Sequence, residues 1–232
     1  MENIIYTVLI ILTIILLKFL FKININKIKG LKENKELEKI TDKFPAIVDI
    51  AKEMLNMLGN DGVKIEEAKN TGTSLYIAIS NKISIADMKN NYARIQTIAH
   101  ECLHSCQDRT MLLFNFFFSN INMIYFFIIS ILTIFKIVNN CMLQIAILML
   151  LTLIQFVIRS FLEIDAMTRA RFLAKEYMEN KKLCTEEEIH MLINEYKKIN
   201  NIGIPFTIYY LLTSGLVRIL IYCIIGIIIK NI

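Results

Sequence analysis

The length, composition and charge of the chain exclude an ordinary soluble domain. Of its 232 residues, 55% are hydrophobic and 20% are charged, and the mean hydropathy is +0.51, a balance typical of a protein that contacts the lipid bilayer. The chain has seven glycines and two prolines, which excludes a collagenous or linker-rich protein. The net charge of +5 is modest. Basic residues beside apolar runs indicate membrane topology, so we expect no nucleic-acid partner.

The first apolar run predicts an N-terminal membrane anchor, which we assign to residues 1–21. Ile4 to Phe21 is long enough, as a helix, to cross the roughly 30 Å of a bilayer's hydrocarbon core. The start of the chain lacks the basic region and small-residue cleavage site of a secretory signal. By the positive-inside rule, the lysines that follow the run hold the next segment in the cytoplasm: Lys22, Lys27, Lys29 and Lys32.

Residues 22–110 form the first polar region, for which the patterns predict both helix and strand. Pro45 to Leu58 has a helical pattern that ends at a glycine. Ser74 to Ser80 is rich in β-forming residues and predicts a strand, which Lys82 to Ile85 extends or follows as a second strand. Ala86 to Arg109 repeats apolar residues at helical spacing and predicts one long helix.

The apolar stretch 111–158 is too long for one span and predicts a membrane hairpin. We place its turn near Asn139-Asn140 and its spans at 122–138 and 141–158. The segment 111–118 is expected to prolong the preceding helix into the interface.

The remaining residues divide into a polar region, 159–203, and a last apolar region, 204–232. Thr185 and Glu188 have the spacing of a capping box ahead of an apolar helical pattern, so we expect cytoplasmic helices in the polar region. The apolar region predicts a C-terminal span.

A metal-binding motif lies in the helix predicted before the hairpin. His100-Glu101-Cys102-Leu103-His104 is an H-E-x-x-H sequence, and four residues of helix turn a side chain by about 400°, so the two histidines project within roughly 40° of each other. Imidazoles in this arrangement can share one zinc ion, with Glu101 beside them as a general base. The alternative is a pair of unrelated histidines on a helix surface.

A catalytic zinc needs a third protein ligand, and we favour Glu163 over His190. Ala166 and Ala170 follow Glu163 on the same helical face, and small residues there let its helix approach the motif helix closely. The two spans of the hairpin return Glu163 to the side of the membrane that holds the motif. His190 lies on the polar side of its predicted helix, so we expect it to be solvated.

Other polar residues near the motif have less certain roles. Cys102 and Cys106 point about 200° away from His100, so we expect them in the core or in an interface. Gln107 returns to the histidine face. Three roles are open for Gln107: it orients a metal ligand, it contacts the backbone of a substrate, or it is a glutamine on the helix surface.

These residues resemble the putative neutral zinc metallopeptidases of bacterial membranes. The resemblance rests on the N-terminal anchor, on residues 98–107 and on residues 163–170, in that order along the chain. It implies that His100, His104 and Glu163 are zinc ligands and that Glu101 is the catalytic carboxylate. Two departures stand out, because Leu103 replaces a usual glycine and Met167-Thr168 replace Ser-Arg.

The expected protein is a mainly α membrane protein with about four transmembrane helices and a small zincin-like α+β cytoplasmic catalytic part. We expect a zinc-dependent metalloendopeptidase, multi-pass in a bacterial cell membrane, acting on a protein or peptide substrate on the cytoplasmic side. Glu101 would take the proton of the attacking water. The alternatives are a non-catalytic zinc-stabilised membrane scaffold, which Leu103 favours, and an intramembrane zinc protease with the motif inside a span.

Overall fold

The computed structural model describes residues 2–24, 34–68, 73–87 and 91–231. The chain is mostly helical and divides into two compact units. The first, here called the membrane unit, comprises Met1–Ile23, Phe114–Phe161 and Pro205–Ile232. The second, here called the polar unit, comprises Asn24–Leu113 and Leu162–Ile204.

The secondary structure elements follow one another along the chain as helices interrupted by a short β region. They are α1 (Glu2–Leu20), α2 (Lys35–Thr41), α3 (Ile47–Met57), β1 (Lys64–Ala68), β2 (Leu75–Ile77), β3 (Lys82–Ala86), α4 (Arg94–Ser105), α5 (Arg109–Ile134), α6 (Cys141–Lys181) and α7 (Glu186–Asn231).

The membrane unit is built from helices whose apolar residues face outward as well as inward. Within the described residues, α1, α5, α6 and α7 are long and apolar enough to cross a membrane, which agrees with the four predicted spans. A shared apolar cluster packs the helices together, and its buried members are Ile10, Phe126, Ile129, Ile145, Leu148, Ile219, Tyr222 and Cys223. Gly215 allows a close approach of α7 to α6, because a Cβ atom there would lie 2.2 Å from the Thr152 Cγ2 methyl.

The polar unit packs α3 and α4 around a small sheet. The described strands have the order β1-β3-β2, in which β1 is parallel to β3 and β2 is antiparallel to it. The central strand buries Ile83 and Ile85, two residues apart, as a strand with one face in the core must. Helix α3 buries residues at helical spacing, namely Ile47, Ile50, Ala51, Met54 and Leu55.

Several local predictions are confirmed. The helix predicted over Pro45 to Leu58 is α3, although it begins two residues later, at Ile47. It is followed by Gly59 at a φ of +66°, a conformation that glycine adopts without strain. Residues 82–86 form a strand of their own beside 75–77. The capping box is formed: the Thr185 amide donates to Glu188 Oε2 at 3.0 Å, and the Glu188 amide donates to Thr185 Oγ1 at 3.2 Å.

The limits predicted for the motif helix are wrong at both ends. Ala86 belongs to β3, where it pairs with Ala68, and residues 88–90 lie outside the described part of the chain. At the other end, the Cys106 amide bonds back to Leu103 O and closes α4. Residues 111–118 therefore belong to α5 and do not prolong the motif helix.

Candidate metal centre

The metal-binding motif lies on α4, whose apolar face fixes the direction of its polar face. Ile95, Ile98, Ala99 and Cys102 are fully buried in the core of the polar unit. Because these residues recur at helical spacing, the helix has one orientation that buries them all. His100 and His104 then project together from the neighbouring face, with their ring centroids 4.5 Å apart.

The structure brings Glu163 to these two histidines, as the sequence predicts. Glu163 Oε2 lies 3.5 Å from His100 Nε2 and 3.7 Å from His104 Nε2, and the two Nε2 atoms are 3.0 Å apart. Residues Ala166 and Ala170 of the same helix, α6, are fully buried in the core that also contains Ile98 and Ala99. Small side chains on this face therefore bring the backbone of α6 close to the core packed around α4.

The arrangement of the three ligand atoms fits a zinc ion. Two atoms that each bind a tetrahedral zinc at 2.0–2.1 Å lie about 3.3–3.4 Å from each other, and the three observed separations bracket this value. The three atoms all lie within 4.8 Å of one another. Two imidazoles and one carboxylate are also a donor set that zinc prefers in catalytic sites.

The charges at the cluster favour a cation at its centre. Burial alone would raise the pKa of the Glu163 carboxyl, but His100 and His104 outweigh it and hold that pKa well below its usual range. Burial alone would lower the pKa of His104, but the nearby Glu163 carboxylate raises it above its ordinary value. The carboxylate thus remains ionised and stabilises positive charge beside it.

Glu101 lies next to this cluster and is only 5% exposed. Burial raises the pKa of its carboxyl group, while the nearby His100 and His104 lower it. The backbone of Tyr76, in β2, also lowers it. Glu101 is therefore a buried carboxylate beside the possible metal ligands.

Cys102 and His190 lie where the sequence predicts, whereas Cys106 lies outside the core. Cys102 is buried in the core, where burial raises the pKa of its thiol, and Cys106 is exposed at the end of α4. His190 is exposed and bonds to Asn194 at 3.1 Å between Nδ1 and Nδ2, so it does not join the cluster. Gln107 contacts His104, with its Oε1 2.8 Å from the ring Nδ1. The sequence alone left the role of Gln107 open.

Leu103 stands where the family pattern usually has a glycine. Its side chain is 2% exposed and belongs to the apolar core of the polar unit. The additional bulk at this position is thus accommodated by core packing.

A mostly helical chain with helices long and apolar enough to cross a membrane and a His-His-Glu cluster suited to zinc has the features of a membrane metalloprotein. The sequence model of the family described as "Putative neutral zinc metallopeptidase" matches residues 5–196, and the chain belongs to this family. No curated protein and no solved structure matches the chain.

Proposed function

We propose that the protein is a membrane-bound zinc endopeptidase in which His100, His104 and Glu163 hold the metal. The observation that carries the proposal is the convergence of three ligand atoms, from two different helices, at separations suited to one zinc ion. A zinc ion bound there would act as a Lewis acid on the scissile carbonyl and would acidify a water molecule.

Glu101 acts as the general base in this proposal. Its carboxylate takes a proton from the attacking water and passes it to the leaving amine as the peptide bond breaks. Three observations support this role: the carboxylate is buried, it interacts with His100 and His104, and it is not one of the three converging ligands.

A peptide substrate suits the edge of the sheet beside Glu101. Within the described residues, β2 pairs with β3 along one side and has no strand on the other. Helix α4 packs against β2, and the backbone of Tyr76 in this strand lowers the pKa of the Glu101 carboxyl, so the strand lies near the proposed base. An extended peptide that adds to the free edge would lie beside the same carboxylate.

Two alternatives receive less support. An intramembrane protease would carry the motif in a span, but α4 has 12 residues and is not among the described helices suited to cross a membrane. A non-catalytic scaffold was favoured by Leu103, whose side chain packs in the core. Turnover distinguishes the scaffold from the peptidase, since both would contain zinc.

We also propose that the active site faces the cytoplasm. The support is the cluster of lysines that follows the first apolar run, because basic residues beside spans are enriched on the cytoplasmic side.

The test compares parent, Glu101→Gln and Glu187→Gln enzymes, purified in detergent, for zinc content and for cleavage of an unstructured protein. Glu187 is an exposed residue of α7, so its variant controls for loss of a surface carboxylate. We expect all three to hold about one zinc per chain. Glu101→Gln should lose cleavage at least about 100-fold, the contribution typical of a general base, and Glu187→Gln should keep it. A Glu101→Gln enzyme that cleaves as fast as the parent would contradict the mechanism.

A further inference from the structure

Gln107 joins the two elements that carry the candidate ligands. Its Oε1 lies 2.8 Å from His104 Nδ1. Its Nε2 donates to the backbone oxygen of Leu162 at 2.8 Å and to Asp165 Oδ2 at 3.0 Å. Leu162 immediately precedes Glu163, so one side chain contacts one ligand directly and the backbone beside another.

The acceptors on α6 determine which way the Gln107 amide faces. A backbone carbonyl and a carboxylate oxygen accept hydrogen bonds, so the NH₂ group of the amide must face them. The amide oxygen is then left facing His104. Reversing the amide would place Oε1 against two other acceptors and leave the NH₂ group beside the ring.

The direction of the amide in turn determines the tautomer of His104. An amide oxygen can only accept, so the ring nitrogen beside it, Nδ1, must carry the proton. The other nitrogen, Nε2, then has its lone pair available. It is also the nitrogen that lies 3.0 Å from His100 Nε2 and 3.7 Å from Glu163 Oε2.

We infer that Gln107 is a positioning residue of the metal centre. It holds the His104 ring so that the Nε2 lone pair is directed at the ion, and Asp165 fixes the direction of the Gln107 amide. This inference rests on the proposed zinc site. Partners beyond the ligands orient a metal-bound histidine and set its tautomer, and their loss typically weakens metal binding by about 10–100-fold. Arg169 Nη1 lies 3.6 Å from the same oxygen, Asp165 Oδ2.

The matched control is Asn60, which stabilises the same end of α4 without touching a ligand. Its Nδ2 donates to Ser105 O and to Ser105 Oγ, both at 3.0 Å. Asn60→Ala therefore loosens the end of the helix but leaves the contacts of the His104 ring intact.

The experiment measures the zinc dissociation constant of the full chain in detergent by competition with a chelating indicator. The absorption spectrum of the cobalt-substituted protein serves as a second readout. We expect Gln107→Ala to weaken zinc binding by about 10–100-fold and to change the cobalt spectrum. Asp165→Ala should shift both readouts the same way by less, because Leu162 O still orients the amide. Asn60→Ala should match the parent.

Exchanging the hydrogen-bond donor and acceptor between positions 107 and 165 distinguishes a positioning role of Gln107 from a general packing role. In Gln107→Glu, the new carboxylate still accepts a hydrogen bond from His104 Nδ1. It has no proton to donate to Leu162 O or to Asp165, so zinc binding should weaken. Adding Asp165→Asn supplies an amide that donates to the new carboxylate, and part of the affinity should return. A loss of packing alone would not be repaired by this exchange.

The outcomes distinguish this inference from the proposed function. A parent that binds no zinc overturns both. A parent that binds zinc and cleaves protein, with a Gln107→Ala variant equal to it in affinity and cobalt spectrum, overturns only the positioning role.

Discussion

At the scale of single residues, the two ligand histidines follow from sequence spacing, whereas their environment does not. The spacing of His100 and His104 places both rings on one side of α4 wherever that helix packs. The contact between Gln107 and His104 depends on Leu162 and Asp165, more than fifty positions along the chain. No local pattern encodes such a distant acceptor, and so the alternatives for Gln107 could be resolved only by the fold.

The histidines also allow a direct test of which residues bind metal. His104 lies in the ligand cluster, whereas His190 is exposed and contacts Asn194. We expect His104→Ala to lose bound zinc and His190→Ala to keep about one ion per chain. Elemental analysis of the purified proteins measures the difference.

Thermal unfolding provides a second readout for the same pair of variants. A ligand that binds only the folded chain stabilises it, by about 2.7 kcal/mol at a concentration one hundred times the dissociation constant. Added zinc should therefore raise the unfolding temperature of the metal-stripped parent and of His190→Ala, but not that of His104→Ala. An equal shift in all three would place the zinc elsewhere.

At the scale of elements, the sequence predicted the helices with a long apolar period and missed the elements stabilised by distant partners. Strand β1 carries Glu66 and Glu67, which are poor strand formers. It exists because it pairs in parallel with β3 and because Lys82 Nζ lies 2.8 Å from Glu66 Oε2. Helix α2 has seven residues, and the side chain of Asn34 caps its first turn. A helix this short does not show a detectable apolar period in the sequence.

The packing of α6 against α7 gives a prediction for the membrane unit. Gly215→Ala would place a Cβ atom 2.2 Å from the Thr152 Cγ2 methyl, so the two helices must separate or repack. We expect a lower unfolding temperature in detergent, since overpacking typically costs about 1–3 kcal/mol.

The compensating variant for this prediction is Thr152→Ser, which removes the methyl group and keeps the hydroxyl group. The double variant should recover most of the lost stability, because the Cβ and Oγ1 atoms of Thr152 lie farther away, at 3.4 and 3.5 Å. If Gly215→Ala unfolds at the same temperature as the parent, the close approach of α6 and α7 is wrong.

At the scale of the whole molecule, composition alone predicted a membrane protein, and the order of its apolar and polar regions predicted four spans. The helix termini differ from the predicted limits because a helix does not end where polarity changes. Helix α6 continues from its apolar residues through Glu163 to Lys181, and α7 begins at the capping box and continues through Pro205. Hydropathy thus indicates the spans, whereas caps and turns determine where the helices end.

The order of spans also determines which side of the membrane each polar region occupies. If the lysines after α1 hold the next segment in the cytoplasm, then α5 leads outward, the turn that contains Asn140 lies outside, and α6 leads back. Reporter fusions that end at Asn140 and at Ala174 should therefore lie on opposite sides. A reporter active only outside the cytoplasm should work at Asn140, and one that fluoresces only in the cytoplasm should work at Ala174. A fusion after Asn34, which keeps the four lysines, serves as the cytoplasmic reference. If the fusions at Asn140 and Ala174 report the same side, the two spans of the hairpin cannot be arranged as proposed, and the side assigned to Glu163 is wrong.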